Sequence, residues 1–208
     1  MSLRFHRVSK AFGRSRVLQG ASHSFAPGLY ALHGPNGIGK STLLAILAGI
    51  LDPDEGEVHI DGHSLQSDPV AAKARLSYVP DECPLYPFMT GRELLQFIAG
   101  AKCTVIGPEV ETLVDRFRLR PYLDTRFGHM SLGTQKKTML VAAWIGAPAV
   151  LLMDEPSNGL DQTTREVLAG CLQALRERCV VIMSTHDAEF ARIVGAGVIS
   201  FDELQAQG

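Results

Sequence analysis

Residues 34–41 read Gly34-Pro-Asn-Gly-Ile-Gly-Lys-Ser41, the pattern G-x-x-x-x-G-K-[ST]. Closely spaced glycines let a backbone curl until successive N–H groups point inward at one phosphate, and a helix starting at the lysine adds partial positive charge there. Lys40 is then placed to reach terminal phosphates, and the Ser41 hydroxyl to bind Mg²⁺. Kinases, GTPases and ATPases all use such a loop. A second group narrows the chemistry: the apolar run Leu151–Met153 ends in two adjacent carboxylates, Asp154 and Glu155. Asp154 suits the metal shell, and Glu155 can take a proton from a water beside a γ phosphate. A third apolar run, CVVIM (179–183), ends in Ser184-Thr185-His186.

These groups need a scaffold that brings three separate loops to one edge. Residues 29–33 (LYALH), 149–153 (AVLLM) and 179–183 (CVVIM) are short continuous apolar runs, as expected of strands covered on both faces. They alternate with helical patterns, which predicts the α/β class with a mainly parallel sheet. Parallel strands would hold Gly34–Ser41, Asp154–Glu155 and His186 at their carboxyl ends, where open α/β sheets bind ligands. A helix follows the glycine-rich loop through LLAILAGI (43–50). Another is marked by Val167, Leu168, Cys171, Leu172 and Leu175, with Asp161 as its cap. The first 28 residues and GEVHIDG (56–62) alternate and predict an antiparallel layer. GRELLQFIAG and PEVETLVDRF predict a small helical subdomain over 91–127, within a single domain spanning 1–208.

The chain has 208 residues, 46% hydrophobic and 20% charged, which suits a globular core and excludes a disordered tail or a coiled coil. Twenty Lys+Arg against 22 Asp+Glu leave a formal charge of −2, so no nucleic-acid partner is expected. The apolar uncharged run Thr138–Met153 is broken by Gly146 and Pro148 and is no membrane span. Charges within MSLRFHRVSK imply no export signal. Cys83, Cys103, Cys171 and Cys179 form no CxxC pair, consistent with thiols in a reducing compartment. The last predicted strand, GVISF (197–201), lies near the end of the chain, so no appended regulatory domain is expected.

GPNGIGKST (34–42), LLMDEP (151–156), SNGLD (157–161) and His186 together resemble the ATP-binding subunits of ABC transporters, and the resemblance covers nearly the whole chain. It implies a P-loop fold of the ABC ATPase type. Gly34, Asn36, Gly37, Gly39, Lys40, Ser41 and Thr42 correspond to its Walker A, and Asp154 with Glu155 to its Walker B and catalytic glutamate. Asp161 corresponds to the D-loop and His186 to the switch histidine. Ser131-Leu-Gly-Thr-Gln135, 23 residues before Asp154, resembles the LSGGQ signature. In the family Ser131, Gly133 and Gln135 would serve a γ phosphate bound to the opposite subunit. Phe12, in SKAFG, stands where the family stacks an aromatic ring on adenine.

The chain departs from that pattern in two places. Met130 and Leu132 replace a leucine and a glycine of the signature. Asp81, in SYVPDECPLYPFMTGREL (77–94), replaces the Q-loop glutamine and resembles a variant seen in some exporter-type subunits. On its turn Asp81 would lie near Ser41 and Asp154 and could join the metal site. The resemblance implies a cytoplasmic, peripheral ATPase that binds ATP and Mg²⁺. It would dimerise head to tail with a second copy or a homologous subunit, and a transmembrane permease would dock near 84–100. Leu85, Tyr86, Phe88 and Met89 supply apolar area there, either for that partner or for the subdomain's own core. Two other readings stand beside it. A nucleotide-dependent switch with weak hydrolysis is favoured by Asp81 and opposed by Glu155 and His186. A small-molecule kinase has no use for the signature or D-loop.

Overall fold

The computed structural model describes residues 2–82 and 85–205; Cys83 and Pro84, the latter opening the expected docking segment, lie outside them. Five parallel strands form the central sheet in the order β6 (Leu76–Val79), β7 (Val150–Asp154), β8 (Val180–Ser184), β3 (Gly28–His33), β9 (Gly197–Ser200). Asp154 pairs with Ser184, and Ser184 with Leu32, so three strands finish level with one another. That register brings the phosphate loop, the paired carboxylates and the histidine turn to one edge.

A second sheet is antiparallel, in the order β2 (Ser15–Phe25), β1 (Leu3–Phe12), β4 (Glu55–Ile60), β5 (His63–Ser64). Its alternation is visible in β1, where Leu3 and Phe5 are buried and Arg4 and His6 exposed. Seven α-helices complete the described residues: α1 (Lys40–Leu47), α2 (Pro69–Ala74), α3 (Gly91–Ala101), α4 (Pro108–Arg116), α5 (Leu132–Ala142), α6 (Gln162–Gln173) and α7 (Ala188–Val194).

All five residues of β7 and of β8 are buried, because both faces of the sheet are covered. Strand periodicity then divides the core in two. Val150, Leu152, Val180 and Ile182 face α1 and the antiparallel layer, meeting Leu43, Leu44, Leu47, Phe5 and Phe25. Leu151, Met153, Val181 and Met183 face the other way, toward Leu94, Leu95, Leu113, Phe117 and Trp144. Each such side chain, fully buried, contributes roughly 1.5–3 kcal/mol.

The helices on that second side begin with a capping box: the Thr90 hydroxyl accepts from Glu93 N, and Glu93 accepts from Thr90 N. Helix α5 packs against both α3 and α4, so the helical group draws on residues beyond 127. Trp144 follows α5 and is 5% exposed. The loop before α3 divides its apolar residues. Leu85 and Met89 pack against the core. Tyr86 and Phe88 are 63% and 69% exposed, with their rings stacked 5.5 Å apart. Among the described residues no helix is long and apolar enough to cross a membrane. Cys103 is exposed, and Cys171 and Cys179 are buried free thiols.

Candidate functional site: a polyphosphate cleft at the carboxyl edge of the parallel sheet

A cleft of about 400 Å³ opens where β3, β6, β7 and β8 end, lined among others by Gly37, Lys40, Ser41, Asp81, Asp154, Glu155 and His186. Its floor is the loop between β3 and α1. Gly39 has φ +119, and a Cβ there would lie 2.3 Å from Val17 Cγ1. Only glycine fits at that point, where β2 presses on the loop from behind. Gly37 has φ +77 and open space where a side chain would stand. The Lys40 ammonium is held by the Gly34 carbonyl at 2.7 Å and the Pro35 carbonyl at 3.0 Å, within its own loop. No acidic residue occupies the first turn of α1, so its amino end keeps its positive partial charge.

The opposite wall is acidic. Ser184 Oγ donates to Asp154 Oδ1. Glu155 N donates to the Ser184 carbonyl at 3.1 Å and to Ser184 Oγ at 3.2 Å. These bonds hold Glu155 at φ +43, a left-handed conformation that costs a non-glycine residue about 1–3 kcal/mol. Its carboxylate accepts from His186 N and stands beside His186 Nε2, both at 3.2 Å. A carboxylate has about four acceptor positions, so capacity remains for a water. Burial, reinforced by the charges of Asp154 and Asp81, pushes the Tyr78 phenol up to about 12.

Donors on the loop and carboxylates opposite fit a polyphosphate carrying a divalent cation. The open space at Gly37, the Lys40 ammonium and the hydroxyl of Ser41 are placed where such an anion would sit. Asp154, Ser41 and Asp81 supply hard oxygen atoms. Among the described residues, no three His, Cys, Asp or Glu side chains form a ready-made metal cluster. The metal's remaining ligands would therefore have to come from the phosphates and water.

Other residues singled out by sequence lie elsewhere. Ser131 caps α5 through Thr134 N, and Gly133 faces the carbonyl of Gly159, where a Cβ would come within 3.3 Å. The Gln135 amide points inward, donating to the Phe127 carbonyl at 2.9 Å and the Met130 carbonyl at 3.3 Å. Leu132 is 82% exposed. None of these signature residues lines the cleft of its own chain. Asp161 caps α6 through Thr164 N, whose donation holds the Asp161 carboxyl below its usual range, and Lys137 approaches it at 3.4 Å. Phe12 is 52% exposed at the end of β1, with the Lys10 ammonium 5.8 Å from its ring centroid, and does not line the cleft.

Sequence reasoning gave no role to Ser184, which bonds the Asp154 carboxylate and the Glu155 backbone N–H, or to Asn158, which also lines the cleft. Both lie within motifs read for their neighbours: Ser184 two residues before His186, and Asn158 inside SNGLD.

This arrangement, with its parallel sheet, antiparallel layer and helical group, is that of the ABC ATPases. The ABC transporter family model matches residues 18–158, and the chain belongs to that family as an ABC-type ATPase. It is 35% identical over 198 residues to Nod factor export ATP-binding protein I of Paraburkholderia xenovorans (strain LB400), an alignment covering 91% of this chain and 64% of that protein. It is 33% identical over 171 residues to the ABC transporter ATP-binding protein NatA of Bacillus subtilis (strain 168), covering 80% of this chain and 70% of the other. A solved ATP-binding subunit of an ABC transporter superposes with a TM-score of 0.88 at 27% identity, covering 96% of this chain and 85% of that one. The chain spans less than two thirds of the Nod factor export protein.

Proposed function

We propose that this chain hydrolyses ATP in a head-to-tail dimer and thereby drives a separate transmembrane subunit from the cytoplasmic face of the membrane. The single observation that carries the reading is the split of the catalytic groups. Lys40, Asp154, Glu155 and His186 line one cleft, while Ser131 and Gly133 head a helix away from it. A second copy turned end for end would bring its Ser131 helix terminus to the cleft and complete the donor set.

Within each site the loop amides and Lys40 bind the β and γ phosphates, and Ser41 with Asp154 would hold Mg²⁺, with Asp81 as a third oxygen. A metal ion held there would draw charge from the phosphate oxygens. Glu155 takes a proton from the attacking water as its oxygen bonds to the γ phosphorus and the bond to the β-phosphate oxygen breaks, releasing ADP and phosphate. His186 keeps the Glu155 carboxylate aimed. Relatedness to a Nod factor export protein favours outward transport. Tyr86 and Phe88, stacked and exposed, suit the groove for a membrane-subunit helix.

Complementation tests the composite site. Lys40→Ala and Ser131→Arg are each expected to be inactive alone, the first also losing ATP affinity. Mixed, they rebuild one intact cleft per heterodimer, so ATPase activity should return to about a quarter of wild type, assuming random pairing. No recovery on mixing would sink the head-to-tail arrangement.

A further inference from the structure

Lys136 follows Gln135 on α5 and is 5% exposed, a placement lysine adopts only with partners. Its ammonium donates to the Pro80 carbonyl at 3.0 Å and the Asp81 carbonyl at 2.9 Å, and lies 3.7 Å from Asp81 Oδ1. Asp81 in turn accepts from Asn158 Nδ2 at 3.3 Å. Asn158 N donates to the Glu155 carbonyl at 3.2 Å. One buried charge on the signature helix is thereby linked through the turn after β6 to the turn that bears Glu155. Asp81 and Asn158 line the cleft, and Lys136 does not.

A carboxylate facing a polyphosphate repels it, and the repulsion is strong where solvent is displaced. We propose that Lys136 is a positioning and charge-compensating residue. It pins the Asp81 turn from behind and offsets the negative charge that this chain places in its nucleotide cleft. The two carbonyl bonds set the position of the turn, and the nearby ammonium cancels the field of the carboxylate. This rests on the assignment of the cleft to ATP.

The test is a double-mutant cycle read by binding of a fluorescent ATP analogue with Mg²⁺, each variant's fold being checked by its thermal transition. Lys136→Gln removes the charge and keeps an N–H donor, though with a shorter reach toward the carbonyls; it should weaken binding by about tenfold, a change of roughly 1.4 kcal/mol. In an Asp81→Asn background the same substitution should change binding by less than about twofold. The penalty should also shrink at 0.5 M salt, and Lys136→Arg should bind like wild type. An equal loss in both backgrounds would make Lys136 a purely structural staple and overturn the inference, as would no loss in either. Lys136→Met, which also removes the donor, serves as the second variant if the glutamine substitution misfolds. Failure of the wild type itself to bind the analogue would instead overturn the ATP assignment.

Discussion

Glu155 combines three properties that seldom coincide: a left-handed backbone, a buried carboxylate and a histidine held against both of its oxygens. Strain of this kind persists only when the surroundings enforce it, and here Ser184 does so with two bonds to one amide. Glu155→Gln preserves shape and keeps one acceptor oxygen for His186 N but cannot accept the proton. Turnover measured by phosphate release should fall by roughly 10²–10⁴, the usual contribution of a general base, while ATP affinity is retained. The variant should also accumulate as an ATP-bound dimer in size-exclusion chromatography. Turnover within a few-fold of wild type would remove Glu155 from the chemistry.

Among the elements, α3 is tied down at its far end by Lys102, which donates to Ser77 Oγ at 2.7 Å and to the Ile145 carbonyl at 3.0 Å. One ammonium thus joins α3 to β6 and to the segment after α5. Burial brings its pKa down to about 8 from an ordinary 10.5. Between those values the unfolded chain binds more protons than the folded one, so stability rises with pH. Burial acts oppositely on Cys179, pushing its thiol from 9.0 up to about 12, so stability from that group is lost as pH climbs above 9. Cys171 is raised for the same reason. Urea titrations should show the lysine's contribution most cleanly between pH 8 and 9, as a rise of no more than about 1.4 kcal/mol per pH unit. Lys102→Met should lack that rise, and an identical slope in both proteins would exclude Lys102 as its source.

What could be read before folding is what lies within one continuous stretch. The loop 34–41, the pair 154–155 and the fully apolar strands β7 and β8 each carry their whole signal locally. Groups whose partners are distant left no such mark. Lys136 reads as one charge on a helix, and the carbonyls that justify its burial are 55 and 56 residues away. Helix α5 buries Lys136 and Thr138 along with Leu140 and Val141, so no apolar stripe reveals how it sits against α3 and α4. Residues 85–89 read as a single apolar patch because the two candidate environments, core and partner groove, demand the same residue types. The turn divides them, sending Leu85 and Met89 inward and leaving Tyr86 and Phe88 exposed.

At the scale of the molecule, the two outward rings lie just before the capping box that starts α3, so they can be removed without disturbing the packing behind them. Tyr86→Ala with Phe88→Ala should leave the melting temperature and basal ATPase near wild type. If these rings anchor the membrane subunit, co-sedimentation with membranes should fall sharply, since a lost interface anchor typically costs about 2 kcal/mol or more. A double variant that melts early, or still sediments, would place the partner elsewhere. The partition of the core by the parallel sheet also has a spectroscopic consequence. Trp144 is the chain's one tryptophan and belongs to the core on the helical side, across the sheet from α1 and the antiparallel layer. Its emission therefore witnesses the loosening of that half alone, whereas far-ultraviolet dichroism averages over both. Superimposed melting curves from the two signals would mark the sheet as a rigid coupler, and separated ones as a seam along which the halves come apart in turn.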